Sequence, residues 1–135
     1  MTHPPAPSYM SITDLLVALE DNRLRFKVLE NPVHWQIVWQ IEKLAIAGRL
    51  GDVSGIAMAT KHSRNTVAKR IQELVEMGYL EYVADPKDSR RNAIAPTIEL
   101  RQELGKYSAS VAPAIARASF LIQREFAEIH NPNNN

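Results

Sequence analysis

DVSGIAMATKHSRNTVAKRIQELVEMGYLEYVADPKDSRRNAIAPT, residues 52–97, reads in order as a helix, a tight turn, a second helix and two short strands joined by a charged loop. The second helix is the clearest element. Ser63 is a good N-cap, because its hydroxyl oxygen can accept from an otherwise orphan backbone N–H. Val67, Ile71, Leu74 and Val75 form one apolar stripe at helical spacing. Gly78 follows, where a glycine stops a helix. Opposite the stripe stand His62, Asn65, Thr66, Lys69 and Gln72, flanked by Arg64 and Arg70. No acidic residue occurs between Lys61 and Gln72, and the carboxylates return only at Glu73 and Glu76. The helix is therefore basic and rich in hydrogen-bonding groups at its N-terminal end.

The first helix of the pair starts after Asp52, a plausible N-cap. Val53, Ile56, Ala57 and Thr60 give it a narrow inner face, and Ala57 permits the close approach that a short helix pair requires. Tyr79–Ala84 alternates like a strand. Asp85-Pro86-Lys87-Asp88-Ser89 is turn chemistry, since proline presets one dihedral and aspartate bonds its own backbone. Arg90–Ala95 returns as a second strand that Pro96 ends. Asp85 and Asp88, set among Lys87, Arg90 and Arg91, are expected to hold an arginine in place and leave the other cations at the loop tip. Helix, turn, helix and β-hairpin in this order form a module that places one helix in a DNA groove. The alternative for the second helix taken alone is an ordinary amphipathic helix with a solvated face.

Ser63-Arg64-Asn65-Thr66-Val67, Leu74-Val75-Glu76-Met77-Gly78-Tyr79-Leu80 and the loop Asp85-Pro86-Lys87-Asp88-Ser89-Arg90 together resemble the MarR family of winged-helix transcriptional regulators. The resemblance is good from about Val33 to Thr97 and weaker outside. The family's wing pattern is D-x-R-D-x-R, and here it reads D-x-K-D-x-R. Lys61 stands where the family usually turns on glycine, Lys87 replaces the wing-tip arginine, and Leu100 replaces a common glycine. The resemblance implies a homodimer in which N- and C-terminal helices interleave.

The rest of the chain fits around this module. Its 135 residues are one domain's worth. The formal net charge is +1, so a basic footprint must be local. With no cysteine, a disulfide framework and thiol chemistry are excluded. Residues 1–10, with three prolines, read as a disordered lead-in without the order of a signal peptide. Ser11 is expected to cap a helix to about Asn22, with Ile12, Leu15, Leu16 and Leu19 as its stripe. Leu24–Leu29 can be read as a strand or as a helix with a break, and the second reading is preferred for want of a strand partner. Asn31-Pro32 is an N-cap with the favoured first-turn proline. It opens a helix that runs to Ala47 and closes at Gly48. Thr97 is expected to cap a helix through Tyr107. Ser108, Ser110 and Pro113 mark a break or kink before a last helix to about His130, and residues 131–135 read as a frayed tail. That last helix, with Val111, Ile115, Ala118, Ile122, Phe126 and Ile129 on one face and Phe120 and Leu121 extending it, carries more apolar surface than a terminal helix of a small domain needs, and asks for a partner, most simply a second copy.

The expected fold is mainly α with a small β-hairpin wing: a winged helix-turn-helix over 32–97, flanked by dimerisation helices over 11–31 and 98–130. The favoured function is a homodimeric, sequence-specific regulator that binds double-stranded DNA in the cytoplasm. The recognition helix is 63–77 and the wing 85–91, and the DNA-facing residues are Ser63, Arg64, Asn65, Thr66, Lys69, Arg70, Lys87, Arg90 and Arg91. The alternative is a winged-helix module for protein–protein assembly without DNA. Trp35 and Trp39, one turn apart, either belong to the core or line a pocket for a small-molecule effector. The four histidines lack metal-ligand spacing, and neither a phosphate loop nor a nucleophile elbow is present, so no metal, cofactor or enzyme chemistry is expected. No apolar run reaches membrane-spanning length.

Overall fold

A computed structural model describes residues 7–88 and 92–129. The helices are α1 Pro7–Arg23, α2 Lys27–Glu30, α3 Pro32–Ile46, α4 Val53–Thr60, α5 Arg64–Glu76 and α6 Ile98–Ile129, with strands β1 Leu80–Ala84 and β2 Asn92–Pro96 between α5 and α6. The chain divides into two compact units. One joins its two ends, up to Leu24 and from Lys106, and the other is Arg25–Gly105.

Local capping sets the boundaries in the Arg25–Gly105 unit. Asn31 Oδ1 accepts from the N–H groups of Val33 (2.9 Å) and His34 (3.3 Å) and opens α3. Asp52 Oδ1 accepts from Gly55 N–H at 2.7 Å and opens α4. Thr97 Oγ1 accepts from Leu100 N–H at 3.2 Å and opens α6. Gly48 and Gly78, at φ 71° and 86°, turn the chain after α3 and α5 in the left-handed region that glycine enters without steric cost. Leu24–Phe26 break the chain between α1 and α2, as the helix-with-a-break reading has it.

β1 and β2 pair antiparallel, from Leu80 opposite Pro96 to Ala84 opposite Asn92. Gly51 adds a single bridge to Ile94 on the other edge of β2. The core beneath the hairpin joins Ile37 and Ile41 of α3, Ile56 of α4, Val67, Ile71 and Leu74 of α5, and Ile94 of β2, each at most 1 % exposed. Burying each such side chain contributes about 1.5–3 kcal/mol, so the stripe predicted for α5 is what seats it. Val75, grouped with that stripe in the sequence, is only half-buried.

In the terminal unit two sequence expectations are corrected. The helix that Ser11 was expected to cap begins four residues earlier, at Pro7, a residue that suits a first helical turn. Ser11 is buried within α1, and its hydroxyl donates to Glu125 Oε1 of α6 at 2.9 Å. The second concerns Ser108–Pro113, read as a break or kink: the chain does not break there. α6 is one continuous helix with Pro113 inside it. An internal proline removes an N–H and costs about 3 kcal/mol. Val111 and Ala118, buried on either side of it, anchor both halves of the helix, and Ser110 Oγ spends its proton on the Tyr107 carbonyl at 2.8 Å. Tertiary burial outweighs the local signal. Arg23 is also buried in this unit, with Nε donating to Glu20 Oε2 at 3.0 Å. The lead-in before Pro7, the end of the last helix at His130 and the tail 131–135 lie outside the described residues.

Candidate nucleic-acid interface

The turn between α4 and α5 is made by Lys61, which adopts φ 59° and ψ 34° where a glycine would sit without strain. It delivers the chain to Ser63. The Ser63 hydroxyl oxygen accepts from Thr66 N–H at 3.1 Å, and its proton goes to Thr66 Oγ1 at 2.9 Å. Both hydroxyls are thus committed to the cap. Behind the cap, Arg64, Asn65 and Lys69 are exposed, while Thr66 and Arg70 are half-buried. The exposed part of this polar face of α5 is narrower than the sequence list.

Three polar ties, all missed by the sequence reading, hold α5 in place. His34 is 7 % exposed in the first turn of α3, and its Nε2–H donates to Glu73 Oε2 at 2.8 Å. Glu73 in turn accepts from Arg70 Nη1 with both oxygens at 3.0 Å. Hydrogen bonds from Arg70, then from His34, hold the Glu73 carboxyl below the usual carboxylate range. His62 Nε2–H donates to Gln36 Oε1 at 2.7 Å, tying the turn before α5 to α3. Gln72, placed on the open face by its helical position, accepts from the Tyr82 hydroxyl of β1 at 3.0 Å and donates to Glu76 at 3.3 Å. The partners in these ties are 39, 26 and 10 residues apart, so local periodicity carries no trace of the first two.

In the wing, Lys87 is exposed. Asp85 Oδ1 accepts from Lys87 N–H at 2.9 Å, and Asp88 N–H donates to the Asp85 carbonyl at 3.2 Å. Asp85 therefore shapes the loop through its backbone. Arg90 and Arg91, and with them any pairing to Asp85 or Asp88, lie outside the described residues. A groove of about 290 Å³ runs between Gly48–Asp52 and the wing residues Asp85–Lys87. A smaller one of about 210 Å³ lies beside Arg64, bordered by Asp52–Ser54 and Asn92. Trp35 and Trp39 are both half-buried on α3 and line neither groove. No helix among the described residues is long and apolar enough to cross a membrane.

No protein-family model matches the chain, and no curated protein matches it. Solved structures do. YusO from Bacillus subtilis aligns with a TM-score of 0.64 at 19% identity, over 90% of this chain and 82% of that one. A MepR variant from S. aureus aligns at 0.60 and 15%, over 83% and 76%. CouR from Rhodococcus jostii, bound to p-coumaroyl-CoA, aligns at 0.56 and 19%, over 93% and 90%. These are regulators of the MarR family, and the likeness establishes that this chain has the MarR-type winged-helix fold.

Proposed function

We propose that the chain is a homodimeric, sequence-specific DNA-binding transcriptional regulator. The helix over 63–77 enters the major groove by its N-terminal end, and the wing over 85–91 meets the minor groove or the backbone. The observation that carries this reading is the exposed N-terminal face of α5. Arg64, Asn65 and Lys69 stand open on it, and residues 61–72 hold four cations and no carboxylate. Asn and Lys are side chains suited to base edges and phosphates. Lys87, Arg90 and Arg91 supply the wing's cations, with Asp85 setting the loop. Ser63 and Thr66 serve the interface by fixing the helix start.

The homodimer rests on the terminal unit. Leu16 and Val17 of α1 are 58% and 54% exposed, and Phe120 of α6 is 63% exposed. A protein in water covers apolar surface of this kind with a partner, and a second copy, through helices over 11–31 and 98–130, is the simplest one. A two-fold dimer calls for an operator of two inverted half-sites about one helical turn apart. The CouR structure with its bound thioester supports a small-molecule effector for this chain too, with Trp35 and Trp39 as the aromatic candidates to receive it. Such a regulator acts in the cytoplasm, where its DNA is.

Selection of bound duplexes from a random library by the full-length protein tests this. Enrichment of an inverted repeat with half-sites about 10 bp apart supports it. Failure to enrich any sequence at low salt contradicts it and leaves the assembly reading.

A further inference from the structure

We infer that His34 is a positioning residue for DNA binding: buried in α3, it fixes Glu73, and through Glu73 it fixes the guanidinium of Arg70 at the edge of the reading face. The inference rests on the DNA-binding reading above.

The chain of contacts runs from rigid to mobile. The His34 side chain is 9% exposed, Glu73 31% and Arg70 33%. His34 stands in the first turn of α3, which Asn31 caps, so its backbone is fixed on both sides. Its Nε2–H reaches Glu73 Oε2 at 2.8 Å, and both Glu73 oxygens then receive Arg70 Nη1. Arg70 Nε is buried and has no hydrogen-bond partner.

Two hydrogen bonds from Nη1 to one carboxylate are the kind of restraint that fixes a guanidinium. Such a restraint is what an arginine needs if it is to be held ready. A free arginine carries about 2 kcal/mol of rotamer entropy, lost on docking. Here much of that freedom is already gone. Glu73 alone would not achieve this, because a glutamate on a helix surface is itself flexible. The imidazole is the fixed point from which the order propagates. Thr66 and Arg70 are half-buried helical neighbours of the exposed Asn65 and Lys69 on α5.

The test uses the full-length protein and the duplex selected above, with affinities of wild type, His34→Phe, His34→Gln, Glu73→Gln, Arg70→Ala and the His34→Phe/Arg70→Ala double variant. A glutamine at 34 keeps an N–H donor for Glu73, whereas phenylalanine fills the space without one. The expected result is a loss of about fivefold or more for His34→Phe, rescue to within about twofold by His34→Gln, and no further loss from His34→Phe once Arg70 is alanine. Glu73→Gln, a half-exposed substitution that spares the core, should weaken binding like His34→Phe and covers the case in which that variant fails to fold. Wild-type affinity in both His34→Phe and Glu73→Gln overturns the inference. So do losses from His34→Phe and Arg70→Ala that add in full. A wild-type protein that selects no sequence overturns the underlying reading and this inference with it, a result distinct from either of those.

Discussion

The Tyr82 hydroxyl donates to Gln72 Oε1 at 3.0 Å, so the first strand of the wing is tied to the outer face of α5. Both residues are exposed, and an exposed bond of this kind adds little to stability. Its effect is on the angle between wing and helix. Tyr82→Phe is expected to leave Tm within about 2 °C, since a few tenths of a kcal/mol move the midpoint of a chain this size that little. Operator affinity should fall about threefold, measured by fluorescence anisotropy. Equal affinity would show that the wing is positioned without this bond.

The left-handed turn at Lys61 gives a stability prediction. A non-glycine residue there costs about 1–2 kcal/mol, against a gain of about 0.4–1 kcal/mol from its stiffer unfolded chain. Lys61→Gly should therefore stabilise by about 0.5–1 kcal/mol in urea unfolding. Lys61→Val, β-branched, should destabilise by more than 1 kcal/mol. A destabilised glycine variant would place the Lys61 side chain in contacts of its own.

Acid sensitivity follows from Glu73 and Glu20. The Glu73 carboxyl is held low by its bonds from Arg70 and His34, and the Glu20 carboxyl by its bond from Arg23. A carboxyl whose folded pKa is depressed contributes stability above its unfolded value, and that stability is lost as pH falls through the folded one. Tm should therefore drop as pH is lowered below 4.5, the ordinary value for these groups. Glu73→Gln should flatten part of that decline. An identical acid limb in the variant would mean that Glu73 is equally acidic in the unfolded chain.

The assembly prediction concerns Leu16 and Phe120. Each buried side chain contributes about 1.5–3 kcal/mol, twice over in a two-fold interface. Phe120→Glu should raise the dimer dissociation constant by at least about a hundredfold in sedimentation equilibrium, and Leu16→Glu likewise. A wild-type chain that sediments as a monomer at micromolar concentration while binding its operator would defeat the dimer.

The winged helix was legible in the sequence because its punctuation is local. Asn31, Asp52, Ser63 and Thr97 each cap a backbone N–H two or three residues on. Gly48 and Gly78 turn the chain where a positive φ is required. Where tertiary forces compete with local signals, the sequence misled. Ser11 resembles a cap, yet its hydroxyl crosses to Glu125 of the far end of the chain. Pro113 resembles a break, yet Val111 and Ala118 are buried on both sides of it. The candidate interface shows the same divide. Period alone placed Asn65 and Lys69 on the open face, but it could not reveal that Glu73 is tied to His34 and Gln72 to Tyr82, because those ties depend on how elements pack.

The face of α5 itself is tested most directly by a salt series on the selected operator with wild type, Asn65→Ala and Lys69→Ala. Each substitution should weaken specific binding by about 1–3 kcal/mol if the residue reads a base edge, and Lys69→Ala should lower the slope of log K against log salt by about one if its ammonium meets a phosphate. Unchanged affinity and unchanged slope in both variants, with the wild type binding tightly, would contradict the account and put the DNA on another side of the helix.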